Sequence, residues 1–439
     1  MKGEKKKGID LQWQILIGIV AGIVLGIFLY QATGPGVTSG PIFLLKVFFQ
    51  YTGDIFIRLL RMMIVPLVFA SIYMAVVNLG DIRELGKIGG KTVAYYMSTT
   101  ALAVFLGLIL VNIIHPGHGV DKEALAALNI TTNVPHEVSS QEVGQRSAAV
   151  IIIDTLVNMI PKNPAGAMAK GDILQIIFFT IFFGIMSAVV GRECQTLSDV
   201  IHGLDMIMQR SVMVVMVIAP YCIFCLVTAI FMDLGMDALF ALGKYAFTVI
   251  LGLFLHAAVT LSLLVMILGR YNPIRLFKAV SPAIMTAWST ASSAATLPLT
   301  MDCLIQKAGV DKKVTNFVLP LGATVNMDGT ALYESIAVIF IAELMGIELS
   351  VGMQAIIFIT ATLAAIGAAA IPGAGLVTMG IVLTAAGMPL DGIGLILAID
   401  RILDQFRTAV NVWGDATAAI VVGHLENAIT DRDGVGESL

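Results

Sequence analysis

From about residue 11 to residue 268 the chain runs through apolar stretches at 11–30, 41–79, 92–114, 148–190, 212–231 and 239–268. The stretch 148–190 is interrupted near PKNPAG, and 41–79 carries Asp54, Arg58 and Arg61 on one face. A stretch of about twenty apolar residues crosses the roughly 30 Å hydrocarbon core of a bilayer as a helix. With 58% hydrophobic and 13% charged residues over 439 positions, the expectation is an all-α integral membrane protein of about eight to ten passes. A net charge of −4 is too small to argue for a nucleic-acid partner.

Against that apolar background one stretch stands out, DRILDQFRTAVNVWGD, from Asp400 to Asp415. At about 100° per residue, Asp400, Asp404, Arg407, Thr408, Asn411 and Asp415 share one side of a helix. A charge at the centre of a spanning helix costs about 2.5–3.5 kcal/mol, so this ladder reads as a functional site. Arg407 offers a planar fork for two carboxylate oxygens, Asp404 an anchor for an ammonium group, and Asn411, Asp415 and Thr408 hard oxygens for cations. An amino acid accompanied by cations fits that order. The alternative is a set of buried ion pairs joining helices, which explains the arginine better than the excess of acids.

Two further segments carry breaks halfway along apolar runs: STASSAATLP at 289–298 and AIGAAAIPGAG at 365–375. Proline and small residues there free backbone groups that lipid cannot satisfy, so such tips must be buried or line a cavity, as in re-entrant hairpins. Each precedes a longer helix with polar residues near its middle, NMDGT (326–330, with Glu334 one turn on) and then the Asp400 ladder. Hairpin followed by polar helix, twice, is a weak inverted repeat of the kind that marks secondary transporters. In NMDGT, Gly329 weakens the helix beside Asn326 and Asp328, freeing carbonyls as cation ligands.

The remaining features are quieter. Gly18, Gly22 and Gly26 form a stripe suited to close helix packing, and Pro66 is expected to kink its helix. Tyr96, Thr99 and Thr100 share a face within YYMSTT, a weak signal taken alone. Cys222 and Cys225 are read as packing residues, and the six histidines show no ligand spacing. Residues 115–146 read as an external loop with a sequon at Asn129. Lys and Arg gather at the N-terminus, 83–91 and 270–278, which puts the N-terminus in the cytoplasm. The C-terminus is expected on the same side, in a cell membrane. The first span lacks a cleavage site and reads as an uncleaved helix.

Taken together, STASSAATLP, NMDGTALYE, AIPGAG and DQFRTAVNVWGD resemble the dicarboxylate/amino-acid:cation symporter family of archaeal aspartate, bacterial glutamate and animal excitatory amino-acid transporters. The resemblance implies the glutamate-transporter fold: eight transmembrane helices plus two re-entrant hairpins, assembled as a homotrimer in lipid. It assigns residues 1–80 and 146–230 to a trimerisation scaffold. Residues 81–145 would hold the third span of the transport domain and the external loop, and 231–439 the rest of that domain. The substrate would meet Ser292, Ser293, Thr330, Ile371, Gly375, Asp404, Arg407, Thr408 and Asn411. Sodium would bind at Tyr96, Thr99, Thr100, Asn326 and Asp328; at Gly322, Asn326, Asn411 and Asp415; and at backbone oxygens around Thr324 and the second hairpin. Glu334 matches a position where proton-coupled members carry Glu, and burial in a dry helix suits a carboxyl to carry a proton. The arginine that archaeal or animal members place near the substrate is replaced by Ala291 or Gln405, with Arg401 as a substitute three residues before Asp404.

The function implied is symport of L-glutamate or L-aspartate with sodium, and with protons as a further candidate ion, by elevator-type alternating access. A C4-dicarboxylate or neutral amino-acid transporter is the alternative within the class, and an ion channel the alternative outside it. An enzyme is not expected, because Ser292 and Ser293 have no base or metal set beside them. Neither the preferred acid nor the coupling stoichiometry is legible in the chain.

Overall fold

The computed structural model describes residues 11–34, 39–77, 86–118, 157–368 and 373–429, and is helical throughout apart from one bridge pairing Val310 with Ile429. Among the described residues six helical stretches are long and apolar enough to cross a membrane. The chain is a multi-pass membrane protein.

The first half supplies long apolar helices. In α1 (Leu11–Thr33) the glycine stripe lies against α6 (Gln195–Leu255), so close that a Cβ on Gly18 would stand 2.7 Å from the Pro220 carbonyl oxygen. Small residues are what permit that approach. Helix α2 (Gly40–Val77) continues through Pro66. Helix α3 (Gly86–Ile114) begins six residues earlier than its apolar run. The short α4 (Pro164–Lys170) is capped by Asn163, whose side chain accepts from Gly166 N, and leads into α5 (Ile173–Val190).

Helix α6 departs from the sequence expectation of two separate spans. Its 61 residues run unbroken for about 90 Å, three times a bilayer core. One apolar stretch ends at Asp233 and the next begins at Leu239. The acid that marks the junction is buried and paired with Lys46 Nζ at 2.5 Å, so no break is needed to bring it to water. A single π turn, His256–Leu261, then leads to α7 (Ser262–Ile267).

The second half breaks where the sequence signals breaks. Helices α8 (Pro273–Thr290) and α9 (Ser293–Gln306) pack together across a two-residue turn. Ala291 there adopts φ 49°, and the Ser292 side chain accepts from Ala295 N as N-cap of α9. Helices α10 (Lys312–Val325) and α11 (Asp328–Leu344) divide at Asn326 and Met327, inside NMDGT and just ahead of Gly329. Helices α12 (Val351–Ala364) and α13 (Ala374–Ala385) also pack together. Residues 369–372 of their connecting tip, Ile371 included, lie outside the described residues, as do Asn129 and Arg83. Helix α14 (Ile393–Leu425) is the axle: it is buried along almost its whole length and touches α3, α6, α8, α9, α10, α11 and α13. It is absent from the six apolar spans because of its own polar ladder.

Candidate functional site

The ladder of α14 faces the interior. Arg407 is fully buried, with Nη2 donating to Asp404 Oδ1 at 2.8 Å and Nη1 lying 3.0 Å from Asp400 Oδ1. The guanidinium lies over the Tyr333 ring, 3.9 Å from its centroid. The Tyr333 hydroxyl donates to Asp400 Oδ1 at 2.7 Å. Helix α13 packs directly on the fork: a Cβ on Gly375 would be 2.9 Å from Arg407 Nη1 and 3.0 Å from Cζ, so only glycine leaves room for the guanidinium there. Asp404 Oδ2 accepts from Gly373 N at 3.2 Å and from Arg401 Nη1 at 3.3 Å. Arg401 therefore does reach Asp404, although helix spacing sets it on a somewhat different bearing; its length closes the gap.

One turn along α14 the chemistry changes from charge pairing to amides. Asn411 Oδ1 accepts from Gly329 N at 2.8 Å, and its Nδ2 faces Met327 Sδ at 3.2 Å and Thr330 Oγ1 at 3.4 Å. The Gly329 N–H is a first-turn donor of α11, which has no side-chain cap of its own, so a side chain of α14 caps α11. A Cβ on Gly329 would lie 2.6 Å from the Arg407 carbonyl oxygen, so glycine is needed for the helices to meet. Thr408 spends its hydroxyl on the Asp404 carbonyl oxygen, 2.8 Å away within its own helix.

Beyond Asn411 the site is a cluster of hard oxygens. Asn326 donates from Nδ2 to Asp415 Oδ1 at 2.9 Å, and its Oδ1 is buried with no hydrogen-bond partner. Asp328 Oδ1 accepts from Thr100 at 2.6 Å and Thr99 at 3.3 Å, and Thr99 also donates to the Tyr96 carbonyl oxygen at 3.1 Å. The Tyr96 hydroxyl donates to Val318 O at 3.0 Å. A Cβ on Gly322 would strike both Asp415 and the Tyr96 hydroxyl. Thr324 bonds back to Leu321 O at 3.0 Å. An orphaned carbonyl oxygen costs about 1–3 kcal/mol when buried, and a small cation between it and the neighbouring carboxylates removes that cost.

Reasoning from the sequence misses two members of this constellation and leaves a third without a partner. Tyr333 is three residues beyond Thr330, on the same helix face. Asp400 is on the ladder, two turns before Arg407, but that Arg407 and Tyr333 hold it comes only from the packing. His256, read as an ordinary core residue, is fully buried with Nε2 3.2 Å from Asp328 Oδ2, and it opens the π turn. The π turn is the one local signal, since such bulges gather at functional sites. Glu334 lies in the same interior, within reach of the Thr378 hydroxyl and the field of Arg407. Ser293 is buried at the start of α9.

Comparison with known proteins is consistent from end to end. The profile of the Sodium:dicarboxylate symporter family matches residues 11–425. The chain is 38% identical over 425 residues to human excitatory amino acid transporter 2, covering 87% of this chain and 74% of that one. It is 34% identical over 426 residues to the proton/sodium-glutamate symport protein of Bacillus caldotenax, covering 97% of each. An excitatory amino acid transporter of Caenorhabditis elegans is 36% identical over 417 residues, 88% of this chain and 83% of its own. Because the profile takes in nearly every described helix and the relatives match across most of their lengths, this chain belongs to the sodium:dicarboxylate symporter family.

Proposed function

We propose that the protein is a symporter that imports L-glutamate or L-aspartate together with sodium, and with protons through Glu334. One observation carries the reading: Arg407, buried with its fork held by Asp404 and Asp400, stands in an interior where acids outnumber bases. Asp328, Glu334, Asp400, Asp404 and Asp415 are buried there against Arg401 and Arg407. A side-chain carboxylate entering from Gly375 replaces the aspartates on the fork, and Asp404, released, takes the substrate ammonium. Asn411, Thr408 and Thr330 are placed for the remaining polar atoms, with Ser292, Ser293 and Ile371 contributing from the hairpin tips. The leftover negative charge at Asp328 and Asp415 is balanced by sodium, with Tyr96, Thr99, Thr100, Gly322, Thr324 and Asn326 completing the oxygen shells. His256 is a positioning residue that orients Asp328. Each ion favours the loaded state only by binding it more tightly.

The larger-scale reading follows the family. The two helix pairs α8–α9 and α12–α13 are re-entrant hairpins, and α1, α2, α5 and the first part of α6 form the scaffold of a homotrimer. The transport domain, built on α3 and the helices from the later part of α6 onward, slides against that scaffold with both chain termini in the cytoplasm. A succinate carrier has no use for Asp404 beside the fork, and current without substrate is what a channel requires. Uptake into proteoliposomes under imposed sodium, proton and potassium gradients tests the assignment, with glutamate, aspartate, serine and succinate as competing solutes. Accumulation of acidic amino acids driven by inward sodium is expected; sodium-independent uptake, or equal competition by succinate, overturns it. Mass photometry of the solubilised protein at three times the chain mass tests the trimer.

A further inference from the structure

The corner where α7 meets α8 carries a surface that the buried site does not use. Exposed side chains of Met266, Ile267 and Leu268 close α7, and α8 opens with Ile274 at 66% exposure and Phe277 at 52%. Between these apolar steps Arg270 stands exposed at φ 46°, a left-handed conformation that L-residues other than Asn and Asp seldom adopt. Lys278, also exposed, lies one turn beyond Ile274 on the same face of α8. The backward tilt of a helical side chain points it toward the level of Arg270. The Tyr271 hydroxyl donates to Ala308 O at 3.5 Å, so the turn before α8 and the turn after α9 lie side by side. Lys307, Lys312 and Lys313 therefore share one end of the molecule with Arg270, Arg275 and Lys278. The Arg275 guanidinium lies 5.8 Å over the Tyr271 ring. Among the described residues the acids here are fewer and committed. Asp311 accepts from Lys313 N at 2.7 Å as the cap of α10, Glu426 is paired with Lys91 at 2.6 Å, and Asp302 stands a turn inside the end of α9. Bases in the first turns of α8 and α10 oppose the helix dipole, so they do not serve their own helices.

We propose that this corner binds the headgroup of an anionic phospholipid, its phosphate against Arg270 and Lys278 and its acyl chains along Ile267, Ile274 and Phe277. The two halves of the surface match the two halves of that molecule. Exposed aliphatic and aromatic side chains face hydrocarbon, while long bases snorkel to the level of the phosphates. A zwitterionic headgroup satisfies the first requirement and leaves the net positive charge of the corner unbalanced. A soluble anion satisfies the second and leaves the apolar steps bare. Insertion topology accounts for bases anywhere in such a turn, but not for one held at positive φ between two exposed apolar steps. The helix pair α8–α9 stands on this corner and carries Ser292 and Ser293 at its far end, so the bound lipid fixes the base of that pair in the headgroup plane.

Trp413 reports on this surface, because Phe277 packs edge-on against its ring with 6.0 Å between centroids. In full-length protein carrying Trp13→Phe and Trp288→Phe it is the sole tryptophan. That protein is placed in phosphatidylcholine nanodiscs in which about one lipid in ten is phosphatidylglycerol or phosphatidylcholine with brominated acyl chains, and quenching of Trp413 gives an association constant for the anionic lipid about tenfold above that for the zwitterionic one. Arg270→Asn with Lys278→Gln should lower that ratio to about one, since asparagine keeps the left-handed turn and removes the charge. Lys170→Gln with Arg192→Gln, exposed bases elsewhere, should leave the ratio unchanged. If the first double variant fails to fold, Lys278→Gln alone decides, with a loss of preference of at least about threefold. Equal quenching by the two lipids, a preference that survives the loss of both bases, or displacement of the lipid by inorganic phosphate at constant ionic strength overturns the proposal. The assay reads lipid contact and not transport, so its outcome is separate from that of the uptake experiment.

Discussion

Arg407 is the residue on which substrate choice turns. Replacing it with cysteine removes charge-assisted bonds of about 1.5–3 kcal/mol each, so acidic amino-acid uptake should fall by at least about a hundredfold. Radiolabelled aspartate uptake checks this, with serine uptake in the same variant reporting whether the emptied fork admits neutral solutes. Unchanged aspartate affinity in Arg407→Cys would sink the assignment. Gly375→Ala is the complementary case, adding bulk and removing no charge. Its Cβ, 2.9 Å from Nη1, must push the guanidinium off its rotamer at about 0.5–1.5 kcal/mol, raising the apparent KM for acidic substrates by up to about tenfold. A KM equal to wild type would mean that the fork is approached from elsewhere.

At the scale of the element, the long α6 carries a buried acid whose ion-pair partner is 187 residues away in sequence. Lys46→Met leaves Asp233 buried without its cation, a change that typically costs about 3–5 kcal/mol, and the thermal midpoint should drop accordingly. Adding Asp233→Leu should restore most of it, because a buried pair is often replaced by apolar groups at little cost. Absence of recovery in the double variant would show that the pair does more than neutralise itself. Helix α9 offers a smaller test of the same kind. Ser292→Ala removes the acceptor for Ala295 N and should lower stability by about 1 kcal/mol.

For the whole molecule the question is how ions and substrate share one interior. Glu334, fully buried on α11 beside Thr378 and Arg407, is the group proposed to carry the proton. In Glu334→Gln, net uptake should lose its pH dependence while exchange of internal for external substrate persists. Proteoliposomes with and without internal glutamate separate the two, and a pH dependence that survives moves the proton elsewhere.

Much of this architecture was legible from the chain alone. Apolar runs longer than a bilayer determined that the protein is helical and membrane-embedded, and a 3.6-residue period determined that Asp404, Arg407, Thr408 and Asn411 share a face. Proline and small residues marked where the apolar runs are broken. Such signals are local, written within a few turns of helix. Only the tertiary structure decided that Arg401 reaches Asp404, that Tyr333 and Asp400 hold Arg407, that Asn411 caps α11, that Lys46 pairs with Asp233 inside an unbroken α6, and that His115 and Glu343 meet. The physical reason is range: periodicity fixes which way a side chain points from its own helix, whereas ion pairs, caps and close glycine contacts depend on which distant helix has been packed against it.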